Sequence, residues 1–219
     1  MLVINHKLTA RMLGVRKSAE ERKAEVVEAA MELAAERGPD RVTTEDLARA
    51  VGLTQPAIFR HFPTKGDIWR AVAERIGAAL EERWQAAERG PTARDQLRHL
   101  VAAQLGLVRA VPAIPAILFS HELHARDQRL REAFHALLRR LHHRLAGIFE
   151  GGSRRGEFPV DLDPSDAAYL VLALIQGLVV RWSLSGRGFD PVAEGERLLA
   201  LLLCGLAGAA PAPTGEADA

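Results

Sequence analysis

Apolar residues recur at three- and four-residue spacing along most of this 219-residue chain. That spacing places them on one face of an α-helix, whereas the alternating runs typical of strands are almost absent. The pattern therefore predicts an all-α protein with about nine helices. The predicted helices cover residues 18–37, 44–51, 54–62, 65–89, 93–110, 113–123, 127–149, 163–184 and 191–207.

Residues that cap or break helices set the ends of several predicted segments. Ser18 followed by Glu21 fits a capping box at the start of the first helix, and Gly38-Pro39 ends that helix. Thr64 is predicted to cap the fourth helix after a short hinge. Asp163-Pro164 opens the eighth helix with a cap and a first-turn proline.

Residues 43–62 predict two short helices joined by a tight turn. Thr44 is the predicted N-cap of the first, and Gly52 ends it because glycine adopts the left-handed backbone at low cost. Thr54 is predicted to cap the second helix, with Pro56 in its first turn. Such a helix-turn-helix can place its second helix in a DNA major groove. Leu53, Ile58 and Phe62 are expected to face inward, which leaves Gln55, Ala57, Phe59, Arg60 and His61 for the outer surface.

Residues 55–65 read Gln-Pro-Ala-Ile-Phe-Arg-His-Phe-Pro-Thr-Lys, with an aromatic residue before a His-Phe pair, then a short turn and a lysine. With the helix before it, the segment from Thr43 to Asp67 resembles the DNA-binding domain of the TetR family of bacterial transcriptional regulators. The rest of the chain resembles the family only in length and helical character. The resemblance implies a DNA-binding regulator, usually a repressor, that a small molecule releases from its operator.

The resemblance and the helix pattern together predict four segments. Residues 1–17 are expected to form a flexible basic arm, 18–64 the helix-turn-helix DNA-binding domain, 65–208 a helical ligand-binding and dimerisation domain, and 209–219 a disordered tail. Residues 1–23 contain six Lys or Arg against two Glu. A basic arm in this place can reach phosphates or a minor groove, although a disordered leader fits the same composition.

Bulk composition narrows the class of protein only slightly. The net charge is +1, so the charge of the whole chain does not indicate a nucleic-acid partner. The single cysteine, Cys204, excludes an intramolecular disulfide and lies in an apolar run, which predicts an inert core position. No signal peptide is evident, and the longest nearly uncharged apolar run, residues 167–180, is too short to span a bilayer. A cytoplasmic location is therefore expected.

The last two predicted helices indicate a partner. Residues 169–180 and 198–206 are apolar on nearly every face, whereas a helix at the edge of a domain should carry one apolar stripe. A twofold homodimer in which two such helices from each chain form a four-helix bundle would cover both faces. The alternative is that both helices lie at the centre of a single core. The resemblance implies the dimer, and a dimer would present two recognition helices to a palindromic operator.

The resemblance also assigns roles within the helix-turn-helix. Base contacts are implied for Gln55, Pro56 and Ala57, since a glutamine can pair with adenine and an alanine methyl can contact a thymine methyl. Arg60 could reach a guanine or a phosphate. Phe59 stands where the family often has tyrosine, so a phosphate-directed hydroxyl is lost and the ring is expected to lie half in the core. The predicted DNA-contacting residues are Thr43, Thr44, Thr54, Gln55, Pro56, Ala57, Phe59, Arg60, His61 and Lys65.

Phosphate contacts are implied for Thr43, Thr44, His61 and Lys65 by the same resemblance. Lys65 also stands at the start of a helix, where backbone N–H groups help to hold an anion. Thr44 has the alternative role of a helix cap. Glu45 is an acidic residue near the expected phosphates, where other members of the family can carry a basic side chain.

A ligand pocket is expected in the second domain, although each apolar residue taken singly fits an ordinary core. Aromatic residues make up only 5% of the chain, which favours an aliphatic ligand such as an acyl chain over a flat aromatic one. The candidate apolar walls are Leu105, Ile114, Ile117, Leu118, Phe134, Leu138, Leu141, Ile175 and Val179. The candidate polar anchors are Gln104, His121, Gln176 and Arg181.

Two other functions remain open from the sequence. Histidines at helical spacing can bind zinc or nickel, which allows a metal-responsive regulator; they are His121, His124, His135, His142 and His143. A helix-turn-helix protein with an architectural role and no ligand would bind many DNA sites. An enzyme is not expected, because the chain lacks a phosphate-binding loop, a dinucleotide fingerprint, a nucleophile elbow and an H-E-x-x-H helix. No cofactor is predicted.

Overall fold

The computed structural model describes residues 17–208, so the predicted basic arm up to residue 16 and the predicted tail at 209–219 lie outside the described residues. Within that range the chain forms ten α-helices, a short 3₁₀ turn at Pro39–Arg41 and no strand, which confirms the all-α prediction. The helices are α1 Ala19–Arg37, α2 Thr44–Val51, α3 Gln55–His61, α4 Lys65–Ala87, α5 Ala93–Ala110, α6 Ala113–Leu118, α7 His121–Arg126, α8 Gln128–Arg154, α9 Pro164–Leu184 and α10 Pro191–Gly208.

Residues 17–208 contain one helix more than predicted, because the segment 113–123 divides into α6 and α7. Ser120 causes the break: its backbone is extended, and its hydroxyl accepts a hydrogen bond from the Leu123 N–H at 3.1 Å as the N-cap of α7. An extended residue at this point cannot continue α6, so a new helix begins after it.

Helix α8 continues past the pair Gly151-Gly152, where the sequence predicts its end. Gly152 allows close packing and does not end the helix. A Cβ on Gly152 would lie 2.6 Å from the Phe158 ring and 2.8 Å from the Ala93 side chain, so no larger residue fits. The left-handed backbone beyond the helix is supplied by Gly156, with φ of 75°.

Helix α1 and the 3₁₀ turn form a common core with α2 and α3. Buried side chains of α1, among them Val26 and Ala30, pack with Leu47 of α2 and Ile58 of α3. The same helix also packs against α4 and α6, so this small core is continuous with the rest of the chain. Gly38 ends α1 with φ of 84°, as its sequence position predicts.

Helix α4 connects the helix-turn-helix to the larger helical part of the chain. Near its start Arg70 forms an ion pair with Asp127, the N-cap of α8, at 3.1 Å. Further along, the Trp84 indole N–H donates to Gln104 Oε1 of α5 at 3.0 Å, and Arg144 of α8 lies 5.8 Å from the Trp84 ring. The helix therefore contacts both the small core and the helices that were predicted to bind a ligand.

Helices α9 and α10 are buried on one face only. Gly195 of α10 approaches α5 so closely that a Cβ there would lie 2.3 Å from Leu105 Cδ1. The opposite face of both helices carries exposed apolar side chains, including Tyr169 at 58%, Leu184 at 83% and Leu201 at 61% exposure. Cys204 lies on this outer face and is exposed, so the predicted inert core position is wrong. The apolar run around Cys204 predicts burial, but the residues of that run face both sides of α10.

The apolar run at 167–180 belongs to the longer helix α9. Among the described helices, α9 is the one whose length and composition would allow it to cross a membrane, whereas the sequence pattern predicted a segment too short to do so. The window of 18 residues that meets this criterion is 44% buried against the rest of the chain. A helix packed on one side against α8, α5 and α10 fits the core of a helical domain with one face left uncovered.

Candidate nucleic-acid interface

The turn between α2 and α3 fixes the orientation of the candidate recognition helix. Gly52 has φ of 66° and ψ of 35°, the left-handed conformation that its position predicts. The Leu53 N–H donates to the Ala48 carbonyl at 2.8 Å and the Gly52 N–H to the Arg49 carbonyl at 3.3 Å, which is the Schellman pattern. Ile58 lies on the inner side of α3 and is fully buried, so the opposite side of this helix faces solvent.

The N-cap of α2 is Thr43, and the prediction of Thr44 is wrong by one residue. The Thr43 hydroxyl accepts from the Asp46 N–H at 3.1 Å, while the Asp46 carboxylate accepts from the Thr43 N–H at 3.0 Å. This reciprocal pair requires an acidic residue three positions after the cap, and only Thr43 has one. The hydrogen bonds from Thr43, together with Arg37, lower the pKa of Asp46 to about 2.

The structure leaves most of the predicted base-contacting side chains accessible. Gln55 and Pro56 are exposed at the start of α3, and Arg60 is exposed one turn later. Phe59 is 41% exposed on the same side, which agrees with a ring expected to lie half in the core. Ala57 is only 6% exposed, and its buried methyl group lacks the exposure that contact with a thymine methyl requires. We therefore leave Ala57 out of the interface.

The predicted phosphate contacts lie around α3 with different degrees of exposure. Thr43 is exposed, whereas Thr44, His61 and Lys65 are half-buried. Thr54, predicted to contact DNA without a stated kind of contact, is also exposed. Thr54 is the N-cap residue of α3, but its side chain makes no capping hydrogen bond. Its hydroxyl is therefore not committed to capping the helix.

Two charged residues modify the electrostatics of this surface. Partial burial lowers the pKa of the Lys65 ammonium, and the nearby Asp40 carboxylate acts in the opposite direction. The acidic Glu45, expected to oppose phosphate binding, lies 3.5 Å from the Arg49 guanidinium one turn along α2. That ion pair offsets part of the negative charge of Glu45.

The residues predicted to surround a ligand are mostly part of the packed core. Leu105, Ile117 and Leu141 are almost completely buried, and Gln104 Oε1 accepts a hydrogen bond from the Trp84 indole. The other buried walls are Ile114, Phe134, Ile175 and Val179, while Leu118, Leu138 and Gln176 are half-buried.

Two of the predicted anchors do not lie in the interior. His121 is exposed at the start of α7, and Arg181 is exposed on α9, where it forms an ion pair with Glu194 at 2.6 Å. Both lie on the outer sides of their helices, an orientation that helical spacing alone did not reveal. His121 and Arg181 are therefore surface residues in the structure and not part of the interior.

Two concavities lie elsewhere on the molecule. One groove of about 530 Å³ runs between α1 and the start of α4 and includes His61, Phe62 and Arg70. Another of about 310 Å³ lies beside α8 and includes His143 and Arg144. None of the residues predicted to bind a ligand lines either groove.

Polar contacts between distant parts of the sequence join the 3₁₀ turn before α2 to the N-cap of α7 and join α4 to the N-cap of α8. The Ser120 hydroxyl donates to the Asp40 carboxylate, with oxygen–oxygen distances of 2.8 and 3.0 Å. Asp40 lies in the 3₁₀ turn just before α2, and Ser120 is 7% exposed between α6 and α7. With the Arg70–Asp127 ion pair, this bond makes a second polar link. The sequence carries no local signal for either pair, because the partners are 80 and 57 residues apart.

Two buried polar atoms in the described range have no hydrogen-bond partner, the Trp69 indole nitrogen and His124 Nδ1. His124 Nε2 lies 3.1 Å from the carbonyl oxygens of Ile117 and Leu118, which occupies the other ring nitrogen. Residues 17–208 contain no group of three or more His, Cys, Asp or Glu side chains that could hold a metal ion.

In residues 17–208 an all-helical fold with an exposed recognition helix held by a glycine turn defines the class of helix-turn-helix DNA-binding proteins. Residues 26–78 match the family model of bacterial regulatory proteins of the tetR family, and residues 93–208 match the C-terminal model of BetI-type transcriptional repressors. The chain belongs to the TetR family, as the resemblance of residues 43–67 predicts. Members of this family are DNA-binding regulators that dimerise, and they are not enzymes.

Similar proteins include curated and structurally characterised members. The nucleoid occlusion factor SlmA from Vibrio atlanticus (strain LGP32) is 30% identical over 195 residues, which cover 87% of this chain and 97% of SlmA. The regulator FadR from Bacillus subtilis in complex with stearoyl-CoA has a TM-score of 0.73 at 23% identity, covering 83% and 98% of the two chains. A regulator from Saccharomonospora viridis in complex with choline has a TM-score of 0.74 at 26% identity, covering 84% and 96%.

Proposed function

We propose that the protein binds a palindromic DNA operator as a homodimer, acts as a repressor, and is released by a small apolar molecule. The observation that carries the proposal is the exposed side of α3, which presents Gln55, Pro56 and Arg60 on a helix fixed by the Gly52 turn. In this proposal residues 18–64 form the DNA-binding domain and 65–208 the ligand-binding and dimerisation domain. The protein acts in the cytoplasm.

The exposed apolar face of α9 and α10 supports the homodimer. Tyr169, Leu184 and Leu201 would be covered by the same helices of a second copy. Gly177 lies on this face, and a Cβ added there would meet nothing within 4 Å. A small residue on an open surface allows a partner helix to approach closely. The twofold axis would set two α3 helices about 34–36 Å apart, the separation of successive major grooves.

The DNA contacts divide into two kinds by position and chemistry. Gln55 is placed to read adenine and Arg60 to reach a guanine or a phosphate, because both are exposed on the outer side of α3. A second group contributes charge or hydroxyl groups to the phosphate backbone. This second group consists of Thr43, Thr44, Thr54, His61 and Lys65, with Phe59 packing beside it.

The link between Ser120 and Asp40 supports a route from the second domain to the DNA. Helix α6 packs mainly against α1, and Ser120 follows it directly. A ligand that displaced α6 and α7 would therefore move the turn that precedes α2. Such a ligand must bind one arrangement of the two domains more tightly than the other, since only differential affinity shifts the equilibrium.

The apolar ligand is proposed from the aliphatic residues that line the interior, such as Leu105, Ile117 and Leu141. The FadR structure in complex with stearoyl-CoA agrees with an acyl ligand in this fold, whereas the S. viridis regulator was solved with choline. Fatty acids and acyl-CoA thioesters should raise the melting temperature of the protein and planar dyes should not. The reverse pattern would contradict an acyl ligand.

A second function is favoured by the SlmA relatives, which are named as nucleoid occlusion factors. Under this alternative the protein binds many chromosomal sites without a small-molecule ligand. The close contact of Gly195 with Leu105 favours it, because that contact leaves little free space between α10 and α5.

Selection of bound fragments from a random DNA pool by the full-length protein tests both functions. One strongly enriched palindrome, lost on addition of an acyl ligand, supports the operator-binding repressor. Enrichment of many dispersed sites, unchanged by any ligand tested, supports the second function. Absence of enrichment at low salt contradicts both.

A further inference from the structure

The exposed amide of Gln55 is hydrogen-bonded to a residue of a neighbouring helix. Gln55 Nε2 donates to Thr44 Oγ1 at 2.7 Å, which joins the first residue of α3 to the first residue of α2. Thr43 already caps α2, so the Thr44 hydroxyl is not needed for that purpose. The bond therefore has no evident role in forming either helix.

The hydrogen-bonding capacity of the two groups is not exhausted by this contact. A glutamine amide has two N–H donors and an oxygen acceptor, so Gln55 keeps one N–H and Oε1 for a ligand. Those two groups match N7 and N6 of adenine in the major groove. The Thr44 hydroxyl accepts from Gln55 and keeps its own proton, which can be donated to a phosphate oxygen.

We propose that Thr44 is a positioning residue that fixes the Gln55 amide for base recognition while its hydroxyl contacts the DNA backbone. This inference rests on the proposed operator binding and adds the residue that sets its specificity. A free glutamine side chain loses rotational freedom when it binds a base, and ordering one such side chain costs about two- to tenfold in affinity. Thr44 removes part of that cost for the one rotamer that faces the groove.

The test uses the full-length protein, a random duplex DNA pool and single substitutions at Gln55 and Thr44. Gln55→Ala first identifies the base pair that Gln55 reads, as the position at which preference is lost. Thr44→Val keeps the shape of the side chain and removes the hydroxyl. We expect it to lower preference at that same base pair by about two- to tenfold, and Thr44→Ser to restore the preference.

Thr92→Val is the matched control, because Thr92 is also an exposed helix-start threonine but caps α5, outside the helix-turn-helix. It should leave the base preference unchanged, whatever it does to overall affinity. In a Gln55→Ala background, Thr44→Val should have no further effect on preference, since the two residues act through one contact. Thermal unfolding of each variant verifies that the fold is retained.

The outcomes separate this inference from the proposed function. If the wild-type protein enriches a palindrome but Thr44→Val weakens binding to every sequence equally, Thr44 is only a phosphate contact and the positioning role is overturned. An unchanged affinity and preference for Thr44→Val overturns it too. If the wild-type protein enriches no sequence, operator binding itself fails, and the inference fails with it.

Discussion

Replacing Ser120 with alanine should destabilise the protein measurably, because one hydroxyl makes two different contacts. It accepts from the Leu123 N–H as the cap of α7 and donates to the Asp40 carboxylate. Loss of an N-cap costs about 0.5–2 kcal/mol. A net hydrogen bond to a charged group contributes about 1.5–3 kcal/mol when buried, and less here because Asp40 is exposed and can be rehydrated.

We expect Ser120→Ala to lower the free energy of unfolding by about 2 kcal/mol. For a chain of this size that corresponds to a melting temperature about 4–8 °C lower. The assay is urea or thermal unfolding followed by tryptophan fluorescence. Protein concentration must be fixed, since dimerisation makes the melting temperature depend on it.

Asp40→Ala is the matched control, because it removes the link between the domains and leaves the cap of α7 in place. Asp40→Ala should lower the free energy of unfolding by about 0.5–1 kcal/mol. In the double mutant the two effects should not add, because both substitutions remove the same bond. If Ser120→Ala stays within about 0.5 kcal/mol of the wild type, the range of ordinary surface changes, both assigned contacts are refuted.

Three further predictions address DNA binding, assembly and pH. Lys65→Ala should weaken binding to all DNA sequences and reduce the salt dependence of binding by about one ion per subunit. Lys23→Ala, which removes a lysine paired with Glu20, should have neither effect. Equal salt slopes for the Lys65→Ala and Lys23→Ala proteins would exclude the Lys65 contact. The Leu201→Glu protein should sediment as a monomer. The Val160→Glu protein should remain dimeric, because Val160 is a loop residue that is 96% exposed. A dimeric Leu201→Glu protein would place the interface elsewhere. The folded state lowers the pKa of Asp46 from 3.8 to about 2, so its stabilising effect is present above pH 4 and is lost as the pH falls towards 2. Urea midpoints across this range should therefore fall less steeply for Asp46→Asn, and parallel curves would contradict the assignment.

The helix-turn-helix could be predicted from the sequence because its signals are local. Gly52 ends α2 and Ser18 caps α1 through contacts within a few residues, and each stands where the sequence places it. The error at Thr44 has the same origin. Two adjacent threonines both fit a cap, and the choice depends on the acidic residue three positions later.

The orientation of side chains in the larger domain could not be predicted in the same way. An apolar run does not reveal which side of a helix has neighbours, so Cys204 was expected inside and is exposed. The polar link between Ser120 and Asp40 depends on how α6 packs against α1. Such contacts are set by the packing of whole helices, which spacing within one helix does not encode.

The position of Cys204 has a practical consequence. Because it is the only cysteine in the chain, a spin label or a fluorescent dye can be attached at one defined place without mutagenesis. In a twofold assembly through α10, two labels would face each other across the symmetry axis. The separation between the labels would then follow any rearrangement of the subunits as operator and effector exchange.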